Sequence, residues 1–379
     1  MQASIQTAHD VLVRGNGAVG LAAALALSRQ GLQVALLGRL TEPAQDDVRA
    51  YALNPASVRL LVALKVWDAI PADARTAVHE MHVEGDAPGS ALDFSAWSQA
   101  SSELAWIVDA AELERALRAA ARFAPHLSVV DAPVPAALQV LAEGRDSAER
   151  TRLGVRMPRQ AYGQRGIAAR LVSPQPHAGL ARQWFRSPDV LALLPLDRPA
   201  FEGRTGHGLG LVWSVPDTLA DELMALPEAD FTARLMDATG GAAGALRLCS
   251  PRAQWPLALA EADALCGPGW VLVGDAAHLV HPLAGQGLNL GLADVATLAE
   301  VLARRQADEP WRSLGDPRLL ARYARARRGP TRAMAQVTDG LLQLFASSSP
   351  IAREVRNRGL TLVNRLSPLK RMLVQRALG

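Results

Sequence analysis

Trp270–Asp294 reads WVLVGDAAHLVHPLAGQGLNLGLAD, and the reading of the whole chain turns on these residues. Val271-Leu272-Val273 is short, β-branched and bounded by glycine, which predicts a buried strand. Gly274 ends it, and Asp275 begins a loop with no bulky side chain before His278. Beyond Pro282 come Ala284-Gly285-Gln286-Gly287, and from Leu288 the apolar residues Leu288, Leu292, Val295 and Leu298 recur at helical spacing. The order is strand, acidic turn, glycine-rich loop, helix start.

Each part suits a flat, electron-accepting ring on a sugar-phosphate tail. A carboxylate at a strand's end, Asp275, accepts hydrogen bonds from sugar or polyol hydroxyls. Gly285 and Gly287 let backbone close on a ring edge where a Cβ would collide. A helix beginning near Leu288 aims unpaired N–H groups and its positive dipole end at that edge, favouring negative charge there. The string GDAAHLVHPLAGQGLNLGLAD resembles the second flavin-binding motif of the class A flavoprotein aromatic hydroxylases, most nearly that of the ubiquinone-biosynthesis ring hydroxylases, with their GDAAH…P.AGQG.N.G..D pattern. The resemblance implies FAD as cofactor, with Asp275 on the ribityl chain and Pro282, Gly285, Gln286, Gly287, Leu288 and Asn289 around the ring.

Residues 10–38 predict a second element of that site, a βαβ unit. Val11-Leu12-Val13 is the first strand, Gly15-Asn16-Gly17-Ala18-Val19-Gly20 the turn, Leu21–Gln30 an alanine-rich helix stopped by Gly31, and Leu32–Leu37 the second strand. Gly15, Gly17 and Gly20 in that context point to a dinucleotide whose pyrophosphate rests on the helix N-terminus. Two residues depart from the family pattern. Gly38, followed by Arg39, stands where the family has an acidic residue that binds the adenosine ribose, so no carboxylate is present to grip it; Arg39 is counted among the expected cofactor-binding residues. Arg14 puts a charge at the end of a buried strand, and it either reaches solvent, reaches a phosphate, or marks an altered pocket.

The remaining motifs follow in order. Arg49-Ala50-Tyr51-Ala52-Leu53 resembles the family's R-x-x-A-L segment, which implies Arg49 beside the flavin tail, and a helix follows through Ser57, Leu60, Leu61 and Leu64. Residues 78–94 read as a hairpin turning at Asp86-Ala87-Pro88-Gly89. Trp106-Ile107-Val108 leads to a helix through Leu113 and Leu117, with Asp109 where the family has a polar contact to the cofactor. After Leu127–Val130 only a proline-containing stretch, Asp131–Leu138, stands in place of the family's hairpin. Ala142–Arg150 keeps the A-D-G-x-x-S-x-x-R motif with Glu143 for the aspartate, one methylene longer.

Gly166–Val172, Ala181–Phe185, Val190–Leu194 and Gly208–Val215 predict a β-rich unit, which by resemblance covers the flavin and walls the substrate pocket, with Trp184, Leu193 and Trp213 as substrate residues. Trp311–Arg328 predicts a further helix. Leu360–Gly379 alternates leucines with Arg365, Lys370, Arg371 and Arg376, a pattern open to two readings: a helix packed on its own domain, or one resting on an anionic membrane.

The expected architecture is α/β: a Rossmann-like FAD-binding domain (1–78, 105–160 and 262–340) interleaved with a β-sheet substrate domain (79–104 and 161–261), then a helical C-terminal segment (341–379). Composition agrees with a globular chain, 379 residues with 49% hydrophobic and 20% charged. A net charge of +3 without long Lys/Arg runs argues against a nucleic-acid partner. Cys249 and Cys266 make no disulfide framework and fit a reducing cytoplasm. No signal peptide or uninterrupted span of roughly 18 apolar residues is present, so the expectation is a cytoplasmic protein, in one reading peripheral on the inner face of the plasma membrane. His278, His281 and the two cysteines match no zinc spacing, and no metal is expected. No G-x-S-x-G or H-E-x-x-H motif supports hydrolysis.

By resemblance, NAD(P)H reduces FAD, and the reduced ring activates O2 for transfer of an oxygen atom to an electron-rich phenolic ring in a hydrophobic, polyprenylated substrate. Three readings stay open: a hydroxylase of ubiquinone or related quinone synthesis, an accessory or scaffold subunit of a biosynthetic complex with weak or no FAD binding, and a flavin reductase acting on isoprenoid double bonds.

Overall fold

The computed structural model describes residues 9–41, 47–85, 90–280 and 286–346. The turn at 86–89, the loop residues Pro282 and Gly285, and the segment 347–379 with its leucine stripe lie outside the described residues.

Strands His9–Arg14, Val34–Leu37, Leu127–Val130, Ala136–Leu141 and Trp270–Leu272 form a parallel sheet, to which Cys266–Gly267 adds an antiparallel edge. The first strand lies between Val34–Leu37 and Ala136–Leu141. Its apolar run Val11–Val13 is fully buried, as parallel strands covered on both faces must be. The helix Ala18–Ser28 is apolar all round, and ten of its residues are buried. It packs against helices Gln286–Asp308 and Ala110–Arg122. Only residues 131–135 join Leu127–Val130 to Ala136–Leu141, which sit three places apart in the sheet.

A nine-stranded sheet forms the second layer. Its main path runs His278–Leu279, Ala253–Glu261, Arg159–Val172, Gly208–Pro216, Asp189–Pro195, Leu180–Arg186, Glu80–Glu84 and Ala91–Ser95, with Arg247–Leu248 beside Arg159–Val172. One face is covered by helices Asp217–Ala225 and Glu228–Thr239, whose Ala220, Leu223, Phe231 and Leu235 share a core with Trp184, Leu193 and Trp213. Ala50–Leu53, Ala105–Asp109 and Arg75–Val78 form a third, antiparallel sheet.

Two elements differ from the sequence expectation. Ala253–Glu261 is a strand although it contains Pro256; the proline sits next to a register shift against Ala161 and Arg165, where its missing N–H is tolerated. The last described helix starts at Pro317, not Trp311. Asp316 accepts hydrogen bonds from the N–H groups of Arg318 and Leu319, and proline at the first helical position needs no donor partner. Trp311 is left 78% exposed in the preceding loop.

Candidate functional site

The glycines of the first turn divide by what surrounds them. A Cβ on Gly15 would lie inside contact distance of the Ala142 carbonyl, and one on Gly20 would meet the Gly15 carbonyl. Both are required for backbone to pack on backbone. Gly17 has open space where its Cβ would be, and it caps the Ala18–Ser28 helix with no side-chain hydrogen bond to the first turn. The helix therefore presents free N–H groups and its positive end to that space, an anion site made of backbone.

Arg14 turns inward to two carboxylates. Its side chain is 14% exposed, and the guanidinium pairs with Glu143 at 3.3 Å and Glu149 at 3.1 Å. Glu143 also accepts from the Ser147 hydroxyl at 2.5 Å and the Glu149 amide at 3.2 Å, so the extra methylene relative to aspartate carries its carboxylate to Arg14. Arg150 from the same motif donates to the Ala276 carbonyl at 3.0 Å, tying it to the loop after Trp270–Leu272. Gly38 has φ +132°, closed to a carboxylate side chain without strain, and Asn16 lies over it, donating to the Arg39 carbonyl at 2.8 Å. Arg39 itself is 79% exposed, 3.5 Å from Asp131, and does not line the cavity. With Asn16 over Gly38, the Arg39 side chain lies at the surface beside Asp131.

The loop Gly274–Leu279 is held by Asp294, which is fully buried and accepts from the Gly274 amide at 2.9 Å, His278 Nε2 at 2.7 Å and Arg327 Nε at 2.6 Å. His278 is thus an anchor of the loop. Asn289, from the first turn of Gln286–Asp308, accepts from the Asn54 amide at 3.0 Å and the Ser57 hydroxyl at 2.7 Å and donates to the Ala52 carbonyl at 2.7 Å. Its side chain thereby fixes the helix start against the Ala50–Leu53 strand.

Gly17, Arg49, Asp275, Gln286, Gly287, Leu288 and Asn289 come together on one cavity of 2350 Å³, several times the volume that a drug-sized ligand occupies. Gly287, like Gly17, has open space at its Cβ position. Burial pushes the Asp275 carboxyl up, against the pull of His278, Arg145 and Arg49. Arg49 is held by Asp47 through contacts of 2.5 to 2.9 Å, and its guanidinium lies 5.6 Å from the Tyr51 ring. Burial raises the Tyr51 hydroxyl to about 12, so it remains a proton donor. Asp109 caps helix Ala110–Arg122 at the Glu112 amide and pairs with Arg170 at 3.1 Å, which also donates to the Arg49 carbonyl at 2.5 Å.

The family described as "FAD binding domain" matches residues 8–133 and 130–338. The chain belongs to this FAD-binding family. Within it, the chain is 33% identical to the ubiquinone hydroxylase UbiL of Rhodospirillum rubrum, covering 98% of this chain and 89% of that one. It is 30% identical to the 3-demethoxyubiquinol 3-hydroxylase of Escherichia coli, covering 98% of each. Among solved structures, the probable FAD-dependent monooxygenase PqsL of Pseudomonas aeruginosa superposes with a TM-score of 0.75 at 22% identity, over 93% of this chain and 99% of that one, which shows the shared fold. FAD is the cofactor, and the residues present fit it: an uncapped helix end facing open space at Gly17, a buried carboxylate at Asp275 and a second open glycine at Gly287, all on one cavity.

As a member of the FAD-binding family the chain has a second wall to its cavity, and here the sequence expectation needs correction. Trp184, Leu193 and Trp213 are at most 3% exposed and face the helices Asp217–Ala225 and Glu228–Thr239, away from the cavity. Side chains alternate along a strand, so their neighbours face the ligand instead: Gln183 and Phe185, Ala192 and Leu194, Val212 and Ser214. Trp255 and Leu257 also line the cavity, on the proline-containing strand that the sequence pattern concealed.

Proposed function

We propose that this chain is an FAD-dependent monooxygenase that hydroxylates the ring of a polyprenylated phenol on the route to ubiquinone or a related quinone, with NAD(P)H and O2 as co-substrates. The observation that carries the reading is that a single cavity is open at Gly17 and Gly287 and continues over the apolar face of the nine-stranded sheet. One end takes a charged dinucleotide and the other a hydrophobic ring. The names of the relatives, ubiquinone hydroxylase and 3-demethoxyubiquinol 3-hydroxylase, support the same substrate class.

In this reading the free N–H groups after Gly17 hold the pyrophosphate, and Asp275 accepts hydrogen bonds from the ribityl hydroxyls. The amide end of Gln286–Asp308 at Gly287 and Leu288 favours negative charge on the edge of the flavin ring. The sequence resemblance assigns Pro282 and Gly285 to that same edge. Bound FAD supplies the redox and oxygen-activating chemistry, while the chain positions the ring and excludes water. No described helix is long and apolar enough to cross a membrane. A phenol with a long tail resides in one, so Leu360–Gly379 is the candidate peripheral contact.

The test is direct. The purified protein should show flavin absorbance after FAD is added. It should then oxidise NADH or NADPH faster in the presence of a prenylated phenol, giving a product heavier by one oxygen atom. Flavin binding without phenol-dependent oxygen incorporation would overturn the proposal.

A further inference from the structure

The cavity does not stop at the flavin motif. The pairings of the nine-stranded sheet place Ala253, Ala168, Val212, Ala192, Gln183 and Val83 opposite one another in a single row, with Leu92 opposite Val83 at the far edge. Every one of these residues lines the cavity. From the strand of Ala253 to the strand of Leu92 is six strand spacings, roughly 29 Å along the sheet. A single aromatic ring near Asp275 and Gly287 leaves most of that length unfilled. Leu194, Ala181, Met81 and Phe94 line the same passage, Ala181 opposite Met81 and Met81 opposite Phe94, and its polar side chains beyond Val212 on these strands are Gln183 and Arg182. At the far end Val83, Leu92, Phe185 and Val190 form an apolar cluster at 5 to 8% exposure.

We propose that this arm is a channel for an extended hydrocarbon tail on the substrate ring, running from the flavin across the sheet to the hairpin Glu80–Glu84 and Ala91–Ser95, and that its lining sets the tail length accepted. The inference rests on the hydroxylase reading for the position of the ring. It goes beyond that reading by assigning the direction of the tail and the residues that measure it. Small side chains at Ala168, Ala192 and Val212 leave the floor open, and burying a tail there removes apolar surface from water.

Two substitutions in the same row narrow the channel at different depths. Ala192 stands three strands from Ala253 and Val83 five. Using the FAD-loaded full chain, kcat/KM is measured for a phenol without a tail and for phenols with tails of one to several isoprene units, and binding of the same phenols is measured by calorimetry in detergent. The native chain should favour long tails. Ala192→Phe should lower the ratio of long-tailed to tailless kcat/KM at least tenfold. Val83→Phe should impose its cut-off at a longer tail than Ala192→Phe does. If one variant fails to fold, the other still tests the ratio. Unchanged ratios, the same cut-off in both folded variants, or a native chain that binds tailed and tailless phenols equally would overturn the channel. Tighter binding of tailed phenols with the expected cut-offs but no oxygen incorporation would uphold the channel while refuting the hydroxylase reading.

Discussion

At the scale of single residues, the three glycines of one turn make separable claims. Gly17→Val adds bulk only to open space, so its melting temperature should stay close to that of the native chain while FAD affinity falls at least tenfold, about 1.4 kcal/mol. Gly20→Val drives a side chain into the Gly15 carbonyl and should prevent folding. Fluorescence titration with FAD, beside thermal unfolding, distinguishes the two; equal thermal losses would refute the division. Asp294 makes a claim about pH. Burial opposes charge on both His278 and Asp294, yet each outweighs it for the other: His278 is held above its ordinary 6.5, and Asp294, aided by Arg327, below its ordinary 3.8. The His278 contribution is complete below pH 6.5 and fades as pH rises through its raised folded value; that of Asp294 is complete above pH 3.8 and is lost as pH falls through its lowered one. Asp294→Asn should therefore cost about 3–5 kcal/mol between those limits, and less at pH 9 than at pH 6, as read from urea unfolding. A penalty that does not change with pH would count against the charged pair. Arg14 shows why some residues are opaque in sequence: its compensating partner Glu143 lies 129 positions away, and nothing local announces it.

At the scale of elements, the β-rich region was legible as strands but not as faces. Alternation says which side chains share a face, and it is silent on which face meets the ligand. Trp184, Leu193 and Trp213 drew attention by size. They face the covering helices, where they share a close-packed core with Phe231 and Leu235, while their strand neighbours Gln183, Ala192 and Val212 line the cavity. The helices Asp217–Ala225 and Glu228–Thr239 that decide the matter had no place in the sequence reading. The flavin motifs, by contrast, could be read because their chemistry is local, a turn and the helix start that follows it. Trp213→Ala should then lower stability by about 3–5 kcal/mol, through lost packing against Phe231, whose ring centre is 6.2 Å away, without changing KM for the phenol. A raised KM at full stability would restore Trp213 to the substrate pocket.

At the scale of the whole molecule, the cavity is a joint between layers as well as a binding site. Gly17 and Asp275 belong to the parallel-sheet half, Ala168 and Val212 to the nine-stranded sheet, and all four face the same space. In protein atoms, Arg170 ties the nine-stranded sheet to the three-stranded one, reaching Asp109 and the Arg49 carbonyl. A cofactor filling the space between the halves binds only the assembled state, so it should stabilise both layers together. At a concentration 100 times its dissociation constant, FAD should raise the unfolding free energy by about 2.7 kcal/mol. The spatial signature is more telling than the magnitude. Amide hydrogen exchange should slow on adding FAD both in the strand His9–Arg14 and in the cavity-lining strands Arg159–Val172 and Gly208–Pro216. Protection confined to the parallel sheet would mean that the second layer folds independently of the cofactor, and that its apolar face is not held in register with the flavin by the shared cavity.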